Sequence, residues 1–279
     1  MEAAEFLRRA EPLLMRDEAR HNLILGIAST IVAHPDHYPD PRMWIGGAGG
    51  LPDAAALITP PHNLVLADAL GPPAIEALIE LVAAEVEAIP GVTGNRPTVD
   101  WFIDGWVDRI GVTPILAMSQ GVFSLETVNH LPPVEGHAQR ATAAIRPLVL
   151  EWVESFSAEA LPEPDRAANR LKRAVDLRLE PDLDSGLWLW MLHGRPVAMA
   201  GYGGETPNGV RVGPVYTPPE LRGRGYATAL VASLSQWLLT DRGRTFCFLY
   251  TDLSNPTSNE IYRRIGYQQV AESAEYRFT

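Results

Sequence analysis

The amino-acid sequence predicts an α/β fold that is built in two halves along a chain of 279 residues. The clearest unit is a strand over Val210–Thr217, a glycine-rich loop, a helix over Tyr226–Thr240 and a strand over Thr245–Thr251. The last of these strands is apolar almost throughout, which is typical of a strand buried on both faces beside a parallel neighbour. Helical and strand-like segments also alternate earlier in the chain, and this length accommodates two domains of ordinary size.

The first half contains helices and strands whose ends are marked by prolines and glycines. Pro72-Pro73 and Pro97 stand where a helix accepts proline, in its first turn, and Gly111 stands just past a helix end. Prolines and a glycine over Asn129–His137 predict a linker between the halves. The predicted elements are a helical stretch over Glu2–Ala33 interrupted near Pro12, a strand over Asn63–Ala67, helices from Pro72 to Ile89 and over Thr98–Ile110, and strands over Thr113–Met118 and Val122–Val128.

The second half begins with a strand and an amphipathic helix. Leu148, Trp152 and Val153 recur at helical spacing and predict one buried face. The dipeptides His193-Gly194 and Asn208-Gly209 predict tight turns between strands. The predicted elements before the glycine-rich loop are a strand over Ala138–Thr142, helices over Ala144–Ala160 and from Pro164 to Leu177, and strands over Leu187–Leu192 and Pro196–Tyr202.

Composition excludes several classes of partner. The net charge of −11 repels polyanions, so we expect no nucleic-acid partner, whereas it either attracts a cationic amine or serves solubility alone. No apolar run reaches the roughly 18 residues of a membrane-spanning helix, so we expect no membrane partner. The single cysteine, Cys247, predicts a packing role and suits the cytoplasm. No set of His, Cys, Asp and Glu has metal-ligand spacing, so we expect no metal.

The loop Arg222–Thr228 carries the strongest chemical signal. Gly223 and Gly225 precede the helix, and glycine allows the backbone to fold around an anion. The first amide groups of a helix have no partner within the helix, and the helix dipole favours negative charge there. With Arg222 and Arg224 beside them, these groups predict a cradle for an anion such as a pyrophosphate.

Two other glycine loops fit this stretch less well. A dinucleotide-binding loop needs a third glycine, where this chain has Thr228, and an acidic residue about 20 positions later. A P-loop needs Gly-Lys-Ser/Thr, and no lysine lies near.

Two motifs together resemble the GNAT superfamily of N-acetyltransferases. The run Arg222-Gly223-Arg224-Gly225-Tyr226-Ala227 matches its signature Gln/Arg-x-x-Gly-x-Gly/Ala. After the next strand, Asn255 and Ser258 lead to Tyr262-Arg263-Arg264-Ile265-Gly266-Tyr267, which is similar to the helix that follows in GNAT members. The resemblance covers about His137–Thr279.

The resemblance implies a mixed central sheet flanked by helices, acetyl-CoA as co-substrate and transfer of its acetyl group to an amine. The strand before the loop would pair with the pantetheine arm and the acetyl group, and the loop would hold the pyrophosphate. The residues implied in acetyl-CoA binding are Val215, Tyr216, Thr217, Arg222, Gly223, Arg224, Gly225, Tyr226, Ala227, Thr228, Asn255, Ser258 and Tyr262.

The implied catalytic residue is Tyr262, at the position that usually protonates the departing sulfur. The alternative is a tyrosine that only packs helix against sheet. Asn255 would likewise be explained by capping its helix alone. Val210–Thr217 has Arg211 but no acidic residue where family members often carry the general base, so the proton passes to water or to an acid elsewhere, with Glu205 as the candidate.

The resemblance also implies a tandem arrangement. Residues 131–279 would be the acetyl-CoA-binding catalytic domain. Residues 1–130 would be a degenerate GNAT-like domain, because the loop Asp68–Pro73 lacks the arginine and the glycine pair, or else an unrelated accessory domain of helices and strands.

Three functions fit these predictions. The first is acetylation of the primary amine of a small molecule, by a cytoplasmic monomer or homodimer. The second is a CoA-binding or regulatory module without catalysis. The third is acetylation of a protein amine, which needs an open groove for a peptide.

Overall fold

The structure, a computed structural model, describes residues 1–38, 40–47, 51–160, 168–180 and 184–279. Helices and mixed sheets alternate along it, as the sequence predicted. The chain divides into two compact units, which we describe separately: the first unit comprises Met1–Phe123, Tyr250–Ser254 and Gln269–Thr279, and the second unit comprises Ser124–Leu249 and Asn255–Gln268. None of the helices described is long and apolar enough to cross a membrane.

The first unit places helices on both faces of a mixed sheet. Its sheet has the order β1-β2-β3-β4-β11-β5; β3 and β4 run parallel, and β1–β2, β2–β3 and β4–β11 are antiparallel pairs. The elements are α1 (Ala3–Leu14), α2 (Asn22–Ala33), β1 (Arg42–Gly46), β2 (Ala54–Ile58), β3 (Leu64–Leu66), α3 (Pro72–Ala83), β4 (Gly91–Asn95), α4 (Thr98–Ile110), β5 (Pro114–Leu125) and β11 (Gln268–Phe278).

Strand β2 shows why several strands of this sheet were not predicted from the sequence. All five of its residues are buried, and alternate side chains enter different cores. Ala55 and Leu57 pack with the helices α1 and α2, whereas Ala54 and Ile58 pack with α3 and α4. A strand covered on both faces has no apolar–polar alternation to mark it, so β1, β2 and β4 were not predicted.

Three sequence predictions for the first unit were wrong in detail. Pro12 lies inside α1, and the helical stretch is interrupted after Leu14 instead. Pro12 has no N–H to donate to the carbonyl four residues earlier, so α1 loses one backbone bond in its last turn but continues to Leu14. The two predicted strands around residues 113–128 are one strand, β5, because Gly121 continues the strand rather than turning it. Helix α3 ends at Ala83 rather than at Ile89.

The second unit also contains a mixed sheet with helices on both faces. Its strand order is β10-β9-β8-β7-β6, in which only β10 and β9 are parallel. The elements are β6 (His137–Arg140), α5 (Arg146–Ala160), α6 (Ala168–Leu179), β7 (Gly186–Leu192), β8 (Arg195–Gly203), β9 (Gly209–Tyr216), α7 (Tyr226–Thr240), β10 (Phe246–Asp252, whose last residues belong to the first unit) and α8 (Pro256–Ile265).

The predicted elements of the second unit are confirmed apart from their ends. The hairpin turns at His193 and Gly194, both of which have positive φ. Helix α6 begins at Ala168, and its predicted start at Pro164 lies outside the described residues. Cys247 is fully buried, and burial raises the pKa of its thiol to about 12, as expected of a packing residue.

The two faces of the second unit's sheet carry different side chains. One face packs Leu187, Met199 and Tyr216 against α5 and α6. On the other face, Trp188 and Tyr202 contact Trp237 of α7, with ring centroids 5.0 and 5.6 Å apart. Both faces of this sheet are therefore covered by helices, α5 and α6 on one side and α7 on the other.

Each of the two compact units is made of more than one segment of the chain. Strand β11 is the last strand in sequence, yet it belongs to the first unit because it pairs antiparallel with β4, from Ser273↔Asn95 to Arg277↔Gly91. The site described next lies within the second unit.

Candidate active site

Two parallel strands of the second unit separate part of the way along their length. The pairing of β10 with β9 runs from Phe246↔Gly209 to Phe248↔Arg211, whereas β9 continues to Tyr216. On its other edge β9 stays paired with β8 as far as Met199↔Tyr216. The edge of β9 beyond Arg211 therefore has no strand partner among the described residues, and this gap in the pairing leaves backbone groups with which an extended ligand can pair.

A bulge in β9 lies at the start of this gap. Val212 pairs with Tyr202 and Val215 with Ala200, so Gly213-Pro214 of β9 stands opposite Gly201 alone. Bulges re-aim backbone groups next to active sites. Pro214 has no N–H, so the amides available beyond the bulge are those of Val215, Tyr216 and Thr217, alternate ones of which point towards the gap.

The glycine-rich loop that follows β9 has the geometry of an anion cradle. Gly223 has φ +76° and Gly225 has φ +80°, values that favour glycine, and a Cβ at Gly223 would meet nothing within 4 Å. Gly225 is the N-cap of α7, and no side chain caps the helix there. The first intrahelical bond runs from the Ala229 amide to the Gly225 carbonyl, 2.9 Å, so the three preceding helical amides remain available.

Those three amides belong to Tyr226, Ala227 and Thr228. The side chains of Tyr226 and Thr228 are 7% and 9% exposed, so they pack into the unit and leave only their backbone to a ligand. What these predicted residues can offer to a ligand is therefore their backbone N–H groups, at the positive end of the helix dipole.

The two arginines of the loop differ in their contacts. Arg222 donates from Nε to the Thr217 carbonyl at 2.9 Å and from Nη2 to both carboxylate oxygens of Glu159 at 2.8 Å. Its guanidinium also lies 5.7 Å from the ring centroid of Tyr216. Arg224 is exposed and donates to the Glu220 carbonyl at 3.3 Å. Arg224 is therefore the readier cation, while Arg222 already holds a carboxylate.

Glu159 was not predicted as a site residue. It lies at the end of α5, and 63 positions separate it from Arg222 in the sequence. No local pattern marks such a contact, because only the packing of α5 against β9 brings the carboxylate to the loop.

Residues typical of helix ends stand at both ends of helix α8. The Asn255 side chain accepts a bond from the Ser258 amide at 3.1 Å, Pro256 stands in the first turn, and Gly266 ends the helix with φ +119°. Asn255 thus makes the capping bond that the sequence predicted as its structural alternative.

Tyr262 has the properties of a proton donor. Its side chain is half-buried, and its ring lies 5.9 Å from that of Tyr267 in an edge arrangement. Burial raises the pKa of the Tyr262 phenol to about 12, so it is protonated at neutral pH. The Tyr267 hydroxyl is engaged with Ser235 at 2.8 Å, whereas within the described ranges the Tyr262 hydroxyl has no hydrogen-bond partner.

Glu205 lies at the other end of β9 from the loop. It follows β8, just before the turn into Gly209, and pairs with Arg244. Burial raises the pKa of its carboxyl, while Arg244 opposes that shift. Seven residue steps, roughly 23 Å of strand, separate Gly209 from Tyr216. Within the described part of the chain, no three His, Cys, Asp or Glu side chains are grouped to hold a metal ion.

Comparison with known proteins gives a family match for this half of the chain. Residues 148–267 match the model of the acetyltransferase (GNAT) family. This span includes β9, the glycine-rich loop and α8, so the resemblance drawn from the two motifs is confirmed. No curated protein sequence matches the chain.

Solved structures share the fold along nearly the whole chain. A Drosophila protein is 14% identical, with a TM-score of 0.69 and coverage of 100% of this chain and 97% of that one. A GCN5-related N-acetyltransferase from Kribbella flavida is 19% identical, with a TM-score of 0.56 and coverage of 91% and 95%. A tandem GNAT protein from the clavulanic acid biosynthesis pathway is 11% identical, with a TM-score of 0.51 and coverage of 90% and 86%.

These likenesses confirm the predicted fold class, a mixed central sheet flanked by helices. Residues 148–267 of this chain are an acetyltransferase domain of the GNAT family.

Proposed function

We propose that the second unit transfers an acetyl group from acetyl-CoA to the primary amine of a small molecule, by direct attack of the amine on the thioester. The observation that carries this proposal is the coincidence of two ligand-binding features along β9. The strand has an open edge beyond Arg211, and the loop after it ends in uncapped helical amides. An amide-bearing arm joined to a pyrophosphate has the chemistry to fill both.

Binding of acetyl-CoA is assigned to main-chain groups first. The amides of Tyr226, Ala227 and Thr228 receive the pyrophosphate, and Arg224 adds a positive charge. The backbone beyond the bulge, from Val215 to Thr217, pairs with the pantetheine arm. The remaining loop residues, Arg222, Gly223 and Gly225, shape the cradle, and Asn255 and Ser258 begin the helix that bears Tyr262.

The chemical step needs one proton donor and one proton acceptor. The amine lone pair forms a bond to the thioester carbonyl carbon, and the carbonyl electron pair moves to oxygen, where an N–H beyond the bulge donates to it. Such a donor is typically worth about 3 kcal/mol. When the carbonyl re-forms, the carbon–sulfur bond breaks and its electron pair leaves with sulfur. Tyr262 then gives its proton to that sulfur, and the ammonium nitrogen loses one.

Water is assigned as the acceptor of the amine proton. The strand Val210–Thr217 contains no acidic residue, and Glu205 is paired with Arg244 at the far end of β9. Glu205 as a base stays a prediction. Replacing it with Gln tests the assignment, because water as the acceptor leaves the rate nearly unchanged.

The first unit is assigned no acetyl-CoA site of its own. Its corresponding loop, Asp68–Pro73, places a carboxylate where the second unit has a cradle, and Pro72-Pro73 cannot donate from the first turn of α3. We assign it the role of a degenerate GNAT-like domain.

The decisive experiment measures acetyl-CoA binding by calorimetry and free thiol release with a panel of amines. Heat on titration together with thiol release supports the enzyme. Heat without thiol release from any small amine, and with peptide amines also unreactive, supports a CoA-binding module. Release with peptide amines alone supports a protein acetyltransferase, and the absence of heat would remove all three.

A further inference from the structure

A second pair of cationic side chains in the second unit, Arg178 and Arg211, lies outside the glycine-rich loop. Helix α6 presents an apolar face to the sheet through Leu171, Val175 and Leu179. Arg178 lies on that same face, because residues three apart on a helix point the same way, and Val175 is three positions earlier. An arginine on a core-facing stripe needs a partner for its charge.

Arg178 has no acidic partner among the residues that the structure describes. There its Nε is buried without a hydrogen bond, and its Nη1 donates to a carbonyl of its own helix, that of Ala174, at 3.3 Å. The acid of α6, Asp176, accepts hydrogen bonds from Nε and Nη2 of Arg146 at 2.5 and 3.0 Å. Burial and the neighbouring charge of Arg211 lower the pKa of Arg178 to about 10, so it remains a cation at neutral pH.

Arg211 points to the same side of the sheet. Arg211 pairs with Gly203 of β8, and Tyr216 pairs with Met199 of β8. Paired residues lie on the same face of a sheet, and so do residues an even number of positions apart on one strand, such as Met199 and Gly203. Arg211 and Tyr216 therefore lie on the same face. Tyr216 packs against Trp152 of α5, with centroids 6.2 Å apart, which identifies the face as the one that α5 and α6 cover. Two arginines thus converge on one face.

Their place along β9 relates them to the reaction. Arg211 is the last residue of β9 that pairs with β10, so it stands at the closed end of the gap. It precedes the bulge at Gly213 by two residues, or about 7 Å of strand. A compact amine with a negative group a few bonds away spans that distance.

We propose that the amine acceptor carries an anionic group, a carboxylate or a phosphate, which Arg178 and Arg211 bind on the sheet face covered by α5 and α6. This inference rests on the proposed function and narrows its substrate class. An anion between the two guanidinium groups would satisfy the buried Nε of Arg178 and remove the repulsion between like charges.

The test compares amines in matched pairs. Amino acids are set against their decarboxylated amines, and amino-sugar phosphates against the unphosphorylated amino sugars; the better pair identifies carboxylate or phosphate. We expect kcat/KM for the anionic member of one pair to exceed that of its partner at least 10-fold. Arg211→Gln and Arg178→Met should bring this ratio close to one by raising the KM of the anionic amine, with the KM of acetyl-CoA unchanged.

Two control variants each remove an exposed arginine, one from α6 itself and one from β8, the strand paired with β9. Arg173→Gln on α6 and Arg195→Gln on β8 should keep the ratio. Wild-type protein that acetylates neutral amines as well as anionic ones, or Arg211→Gln and Arg178→Met variants that keep the ratio, would overturn the inference while leaving the proposed function intact. Absence of thiol release from every amine would count against the proposed function.

A binding measurement decides the inference without turnover. The same pairs are titrated by calorimetry into protein saturated with CoA, which carries no acetyl group to transfer. Tighter binding of the anionic members, lost in Arg211→Gln, supports the anion site even if no acetylation is found. Equal or absent binding of both members rejects it.

Discussion

The two units of this chain use the same strand–loop–helix arrangement, but only the loop of the second unit has the geometry of an anion cradle. In the second unit, β9 leads through two left-handed glycines to the uncapped amides of α7. In the first unit, β3 leads through Asp68–Pro73 to α3, which begins with two prolines. The scaffold therefore does not specify the function; a handful of residues in the turn do.

The first unit fills the corresponding place with its own side chains. The Asp68 carboxylate accepts from Arg20 Nε at 2.5 Å and from Asn95 at 3.0 Å, and the Asp68 amide donates to His21 at 3.0 Å. An internal anion with internal donors needs no ligand. The two loops therefore differ in two respects that bear on anion binding. The loop of the first unit has a carboxylate of its own, and the helix after it lacks two N–H groups that the helix of the second unit has.

The largest expected effect comes from giving the second unit's loop the carboxylate of the first. Gly223→Asp places a negative charge beside the pyrophosphate, at a residue where a Cβ meets nothing and where Asp tolerates the left-handed backbone. We expect acetyl-CoA binding to weaken by at least about 100-fold, since two charges 4 Å apart at an effective dielectric constant of 20 repel by about 4 kcal/mol. Calorimetric titration measures the loss.

Gly223→Asn is the matched control, because it has the same shape without the charge. It should weaken binding far less than Gly223→Asp. If both variants weakened acetyl-CoA binding equally, the cause would be the shape of the added side chain and not its charge. The negative charge of Asp68 would then not explain the difference between the two loops.

The next effect concerns the proposed proton donor, Tyr262, and the residue at the same position of a helix in the first unit. The seventh residue of α8 is Tyr262, whereas the seventh residue of α4 is Asp104, an exposed acid. Tyr262→Phe should lower kcat about 100-fold, the lower range for removal of a general acid, and leave the Kd of acetyl-CoA within about twofold. Thiol release under saturating substrates measures kcat. An unchanged kcat would leave Tyr262 a packing residue.

The pKa of Tyr262 makes a separate prediction for the wild type. Because burial raises that pKa to about 12, the acid form persists through alkaline pH. We expect no decline in kcat from ionisation of Tyr262 between pH 8 and pH 10, with loss beginning only as pH approaches 12. A phenol with an ordinary pKa of about 10 would instead be half ionised at pH 10. The pH profile of kcat at saturating amine distinguishes the two cases, and a decline centred near pH 10 that is absent in Tyr262→Phe would contradict the prediction.

A smaller effect follows from making α7 begin as α3 does. Ala227→Pro removes one amide from the cradle at a position early in the helix, where proline is tolerated. A hydrogen bond to a charged group contributes about 1.5–3 kcal/mol, so binding of acetyl-CoA should weaken roughly 10- to 100-fold. The unfolding midpoint should stay close to that of the wild type. Binding at wild-type strength would show that this amide does not contact the pyrophosphate.

The sequence was most informative where function constrains the chain locally. The glycine loop and the N-cap of α8 are short-range patterns: Gly223 and Gly225 have the left-handed backbone that the loop requires, and the Asn255 side chain caps the helix as one of its two predicted roles. The family followed from those patterns. The separation of β9 from β10 came only with the family resemblance, since no residue of β9 marks where pairing ends.

Contacts between distant positions were out of reach of the sequence. Glu159 contacts Arg222 only because α5 packs against β9. In the sequence, nothing distinguishes Arg178 from the other charged residues of α6, because only the structure shows that its apolar neighbours face the core. Strands β1, β2 and β4 were missed because strands buried on both faces lack alternation. Strand β11 pairs with β4 across more than 170 positions, which no periodicity encodes.

The smallest expected effect concerns an internal ion pair in the loop of the second unit, which resembles the internal ion pair of Asp68 in the first unit. Glu159 holds Arg222 in the way that Asp68 holds Arg20, but this pair is about half exposed. Exposed ion pairs are worth about 0.2–1 kcal/mol, so freeing the arginine by Glu159→Gln should tighten acetyl-CoA binding about two- to fivefold, most clearly at low salt. Glu154→Gln on the same helix makes the same change in net charge away from the loop and is the matched control. Tightening by Glu159→Gln alone would identify the carboxylate as a competitor of the pyrophosphate. Weaker binding would instead make Glu159 a support that holds Arg222 in place, and equal tightening by both variants would reduce the effect to net charge.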